Sequence, residues 1–205
     1  GGINEVQVTP SVSFSLSSSL GVTLSSAYTC DGLGSSPDLS WINLPPKTSQ
    51  LALLMSTEAP GQTKYNWVLY NIPVEVSQLK RDSFGVGTTG MGDDGAYLGY
   101  QAPCSSGTGL RSYTFTLYAL SSPPVVNSNL ISGSELKSAM AGITLGTATL
   151  TMSYTAPGST GTGHSIACGY IKESMRASKF GTASVSCDAT YAYVSSNGLA
   201  SHEMM

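Results

Sequence analysis

Four side chains with chemical potential lie close together between residues 51 and 73, LALLMSTEAPGQTKYNWVLYNIP: Glu58, Lys64, Tyr65 and Asn66. An apolar run, LALLM, leads into Ser56-Thr57-Glu58-Ala59-Pro60-Gly61, and an aromatic and β-branched run, WVLYNI, follows and stops at Pro73. Two buried strands joined by a polar, proline-bearing connection therefore bring a carboxylate, an ammonium, a phenol and an amide to one end of a sheet, where a binding site is expected. Catalytic constellations are poorly supplied. The only histidines are His164 and His202, both in segments that read as flexible, so a Ser-His-Asp or Cys-His arrangement lacks a rigidly held base. There is no G-x-S-x-G elbow and no phosphate-binding Gly-Lys loop. Asp93-Asp94-Gly95 lacks the alternating acidic spacing of a calcium loop and reads as a solvated turn. No catalytic residue, metal or cofactor is expected.

The elements that must position these residues are mainly strands. Residues 1–24 alternate apolar and small polar types, as in Val6-Gln7-Val8 and Val12-Ser13-Phe14-Ser15-Leu16. A turn-rich Thr29-Cys30-Asp31-Gly32-Leu33-Gly34-Ser35-Ser36-Pro37 precedes a short strand, Leu39–Ile42, closed by Pro45-Pro46. Residues 78–99 form a long glycine-rich segment of the length associated with functional loops. A second loop, 97–113, feeds a strand at Thr114–Leu120. A short helix is expected over Ser134–Ala141, with Ser132 and Glu135 as a capping box and Gly142 as the stop. Alternation resumes at Thr147–Thr155, and the tract 156–163 has linker composition. Beyond it a helix over Ile171–Phe180 and strands at Ala183–Cys187 and Thr190–Val194 are expected. The reading is thus a β domain over residues 1–156, of which 1–13 are an N-terminal strand extension, followed by a linker and C-terminal extension at 157–205. Trp41, Trp67, Tyr70, Phe115 and Tyr118 are assigned to the core, and Tyr65, Tyr100 and Tyr113 to strand ends or loops beside the site.

Composition narrows the class. Charged residues make up 10% of the 205-residue chain, hydrophobic ones 40%, and 23 glycines sit among many Ser and Thr, which suits a secreted, loop-rich β protein. A net charge of -3 with scattered Lys and Arg argues against nucleic acid as a partner. No apolar run is long enough for a transmembrane helix. The chain starts at Gly1, which fits a processed protein, and no N-glycosylation sequon occurs. Cys30, Cys104, Cys168 and Cys187 lack C-x-x-C spacing and histidine partners, so disulfides are favoured over zinc, with every pairing open.

Three segments together, AYTCDGLGSSPDLSW (27–41), APGQTKYNWVLYNIP (59–73) and GTGLRSYTFTLYAL (107–120), resemble the phosphatidylethanolamine-binding-like proteins, especially their bacterial branch. The resemblance runs from about Phe14 to Tyr154 and omits the tail. It implies an antiparallel β-sandwich with a few short peripheral helices and a small anion-binding pocket at the end of the sheet. Carried across, the family's acidic proline loop falls on Ser56-Thr57-Glu58-Ala59-Pro60 and its strand-start histidine on Asn66. Its loop glycine and proline fall on Gly99 and Pro103, and its His-Arg-Tyr segment on Arg111-Ser112-Tyr113. Both family histidines and the first aspartate are replaced. The implied ligand set is Glu58, Asn66, Gly99, Pro103, Arg111 and Tyr113. In it Arg111 either grips an anion bidentately or pairs internally with Glu58, the second arrangement being favoured. The resemblance also implies a Cys30–Cys104 disulfide, leaving Cys168 with Cys187. Three functions follow as expectations: a non-enzymatic extracellular structural or assembly domain that associates with itself through terminal strands, a binder of small anions or phospholipid head groups, and a protein-binding inhibitor of a protease or kinase.

Overall fold

The computed structural model describes residues 13–94, 98–104, 109–128 and 130–156, and, as backbone strands, 184–187, 192–196 and 199–204. Ten-residue β3 (Gln50–Ala59) and twelve-residue β4 (Gln62–Pro73) form the expected pair. Their connection is much tighter than a site-bearing loop. Both strands run through the polar residues, Ala59 pairs with Gln62, and the reversal is made by Pro60 and Gly61, whose φ of 77° is open to glycine at little cost. β7 (Gly109–Leu120) pairs with β3, and β8 (Thr144–Ala156) pairs with β7, both antiparallel. With the two-residue β6 (Thr88–Thr89), the sheet order is β6-β4-β3-β7-β8. Arg111 and Tyr113 therefore lie inside a strand rather than in the loop before it.

β1 (Ser15–Ser17), β2 (Leu39–Ile42) and β5 (Gln78–Leu79) form a second antiparallel sheet. One face of the large sheet packs on it, burying Leu51, Leu53, Met55, Trp67, Leu69, Phe115 and Leu117 with Leu16, Leu39, Trp41 and Leu79. The result is the expected sandwich. The opposite face carries Leu54, Val68, Tyr70 and Leu120, covered by Ile131 and by Leu136 and Met140 of the helix α1 (Gly133–Met140). The helix begins as the sequence indicates: Ser132 accepts from the Glu135 amide, and the Glu135 carboxylate accepts from the Ser132 amide at 2.9 Å. Gly133 lets it dock closely, because a Cβ there would overlap the Tyr65 ring. Trp41, Trp67, Tyr70 and Phe115 are buried as expected, and Tyr118 is half-buried.

In the tail, β9 (Ser184–Cys187), β10 (Ala192–Ser196) and β11 (Leu199–Met204) form an antiparallel sheet in the order β11-β10-β9. Its third strand is additional to the two expected from sequence. Residues 1–12 of the strand extension expected at 1–13, the linker at 157–163, the helix at 171–180 and Cys168, hence the Cys168–Cys187 pairing, lie outside the described residues. No described helix is long and apolar enough to cross a membrane.

Candidate functional site

The residues singled out by sequence gather at one end of the large sheet, but on both of its faces. Ser56 is in register with Thr114 and Arg111 with Tyr154. Alternation along the strands then places Glu58 with Ser56, Ser112 and Thr114 on the α1 face. Arg111 falls with Tyr113 and Tyr154 on the face covered by the second sheet.

On the α1 face, the Glu58 carboxylate accepts from the Thr63 hydroxyl at 3.0 and 3.1 Å. Asp93 accepts from the Tyr65 amide at 2.8 Å, and its own amide donates to the Tyr65 carbonyl. Lys64, which pairs with Thr57 and so alternates to the other face, meets Asp94 at 2.8 Å, and that contact raises the lysine pKa. Burial pushes the Tyr65 phenol up, with Asp93 and Glu58 adding to the shift. The ion pair expected between Arg111 and Glu58 is not formed. The two residues diverge across the sheet, and among the described residues the ion pairs are Lys64–Asp94 and Arg81–Asp82.

On the other face the site is a tyrosine cluster closed by two loops. The buried Tyr113 phenol is raised by its burial, an effect the neighbouring Arg111 guanidinium opposes. Tyr154 donates to Asp31 Oδ2 at 2.7 Å. Tyr100 is buried and donates to the Tyr28 carbonyl at 2.7 Å, and burial holds its pKa well above the ordinary value. The Trp67 and Tyr100 rings meet edge to face at 5.4 Å. The Arg81 guanidinium lies 5.1 Å from the Tyr28 ring centroid and donates to Ser35 Oγ at 3.1 Å.

The loops are locked to each other. Cys30 and Cys104 form the disulfide that the family resemblance implied, with Cα atoms 5.3 Å apart, and the Cys30 amide donates to the Pro103 carbonyl at 3.0 Å. Gly99 and Pro103 are buried in the same loop, next to Tyr100. Asn66 sits where the β3–β4 register slips, is 6% exposed, and its carbonyl accepts from the Gln101 amide at 2.8 Å. Its Oδ1 is buried without a partner, and so is Gln101 Oε1. The structure thus brings Arg111 and Tyr113 together, sets Asn66, Gly99 and Pro103 around the adjoining loop, and leaves Glu58 on the far face. Asp31, Tyr154, Tyr28 and Arg81 complete the cluster, and only Asp31, inside the Cys30-Asp31-Gly32 turn, carried a local signal. No cluster of potential metal ligands occurs among the described residues.

The sequence profile of the Phosphatidylethanolamine-binding protein family matches residues 14–155, and the chain belongs to that family. A UPF0098 protein of Methanothermobacter thermautotrophicus is 38% identical over 101 residues, covering 46% of this chain and 66% of the relative. One from Aquifex aeolicus is 36% identical over 115 residues, covering 53% of this chain and 67% of the relative. The matched region thus spans about two-thirds of the length of these two proteins. The structure of CT736 from Chlamydia trachomatis, a phosphatidylethanolamine-binding protein homologue, aligns with a TM-score of 0.65 at 26% identity over 71% of this chain and 99% of that one. YbcL of E. coli aligns with a TM-score of 0.65 at 24% identity over 71% of this chain and 100% of its own, a likeness of fold.

Proposed function

We propose that this chain is a non-enzymatic structural or assembly domain, built on the phosphatidylethanolamine-binding scaffold and working in an extracellular, oxidising compartment. The observation that carries the reading is the dispersal of the ionisable candidates: Glu58 is engaged by Thr63 on one face while Arg111 stands by Tyr113 on the other. A general acid and base, or a pair of groups clamping one ligand, must converge on the same few ångströms. Here Asn66 and Arg111 stand in place of two imidazoles and Ser56 in place of an aspartate, so neither the charges nor the proton donors of the family pocket are present together. The Cys30–Cys104 bridge supports the compartment. The sequence to either side of the family match supplies strand-forming material for association. Sedimentation of the intact chain is expected to reveal concentration-dependent multimers, lost on deletion of residues before Ser11 or after Pro157. A monomer under all conditions refutes the reading.

One observation favours a second reading, a small-anion binder. Arg111 is exposed, no described carboxylate pairs with it, and it adjoins a phenol. The signature of that reading is a phosphate-dependent rise in Tm that Arg111→Ala abolishes.

A further inference from the structure

β8 is an edge of the large sheet, and its outward edge is open over a short, defined window. At one end the edge is occupied: the Ser153 amide donates to the Val22 carbonyl and the Leu24 amide donates to the Ser153 carbonyl, both at 2.9 Å. At the other end the β7–β8 register slips between Gly146 and Thr144, which leaves Leu145 as an extra residue. Because Ser153 points its backbone groups away from β7, alternation directs those of Thr147, Thr149 and Thr151 outward too. Among the described residues none of these outward groups has a hydrogen-bond partner. The three threonine side chains are exposed on the α1 face.

Natural edge strands are normally blunted by lysine, proline or an inward-pointing charge. Thr144–Ala156 contains none of these. Threonine occupies every second position across the window, so the threonine spacing is the same from either end of Thr147-Ala148-Thr149-Leu150-Thr151, with Ala148 and Leu150 between.

We infer that this window pairs antiparallel with the same window of a second copy of the chain, a second required surface beside the terminal strands of the assembly reading above, on which the inference rests. A two-fold axis at Thr149 sets Thr149 against Thr149 of the partner subunit and Thr147 against Thr151 of the partner subunit. Each such pair exchanges both backbone hydrogen bonds, and the two five-stranded sheets become one. The side chains fit as well. Cross-strand threonines stabilise one another, as Thr114 and Thr151 already do within the chain at 3.0 Å between hydroxyls. A second copy suits this edge better than a charged or aromatic partner, since the window offers neither charge nor ring to recognise one.

The test is sedimentation of the full chain with two variants. Thr149→Pro removes an amide directed outward and none that bonds β7, so an edge strand accommodates it. Thr147→Lys places a charge on the shared edge without touching the backbone. The expected result is a wild type whose weight-average mass rises toward twice the monomer mass with concentration, while both variants remain monomeric with unchanged Tm. Wild-type multimers that persist in both variants but vanish on deletion of either terminus overturn the β8 pairing and leave the assembly reading standing. A wild type that is monomeric throughout overturns both.

Discussion

Removing the Cys30–Cys104 bridge, by the double change Cys30→Ser and Cys104→Ser, perturbs the two loops that close the tyrosine cluster without touching the packed sheets. The cysteines are 74 residues apart in sequence. For a closed loop of that size, chain entropy gives an upper value of about 4.5 kcal/mol at 25 °C. The realised loss falls below that value, because the unfolded chain without the bridge keeps residual structure and is not a free coil. The expected loss is therefore about 2–4 kcal/mol, or roughly 5–15 °C in Tm for a domain of this size. Urea unfolding followed by tryptophan fluorescence measures it, since Trp67 packs on Tyr100 in the bridged loop. Wild type in reductant should show the same midpoint as the double variant. Equal midpoints for oxidised and reduced wild type would refute the idea that the bridge holds these loops, and a loss well beyond 5 kcal/mol would show that the serines themselves disrupt the core.

Three further outcomes follow from the same physics. Tyr100→Phe leaves the buried Tyr28 carbonyl without its donor and should cost about 1–3 kcal/mol in chemical unfolding. Ser132→Ala removes the accepting hydroxyl of the α1 capping box and should cost about 1 kcal/mol, with helical circular dichroism otherwise kept. Asp38 gives a pH signature: burial acts to raise its carboxyl, but bonds from the Ser19 amide and hydroxyl and from Ser18 outweigh this and hold it low. A lowered carboxyl stabilises the fold above its unfolded pKa near 4 and loses that contribution as pH falls through the folded value. Asp38→Ala should therefore be less stable than wild type by about 1 kcal/mol near pH 7, with the gap closing below pH 4.

Much of the fold was legible in the sequence because its signals were local. LALLM and WVLYNI announce two core strands, Leu39–Ile42 is found with its expected bounds, and Ser132 with Glu135 fixes the start of the helix. The site was less legible because its arrangement depends on register. Whether Glu58 and Arg111 meet is decided by which face each occupies, and pairings such as Ser56 with Thr114 and Arg111 with Tyr154 have no local signature. The same holds for contacts between distant segments, such as Tyr154 with Asp31 and Arg81 with Tyr28. Pro60-Gly61 marks a reversal equally well in a site-bearing loop and in a tight hairpin, and only the pairing of Ala59 with Gln62 decides for the hairpin. The open edge of β8 was invisible for a related reason: a strand's number of neighbours is a property of the sheet order.

The claim that the scaffold persists while its anion chemistry has been dispersed is tested most directly by titrating inorganic phosphate into the intact protein and into Arg111→Ala by calorimetry. The account predicts no saturable heat for either protein. Saturable binding to the wild type that is lost in Arg111→Ala would contradict it, and would establish Arg111 with Tyr113 as a working anion site.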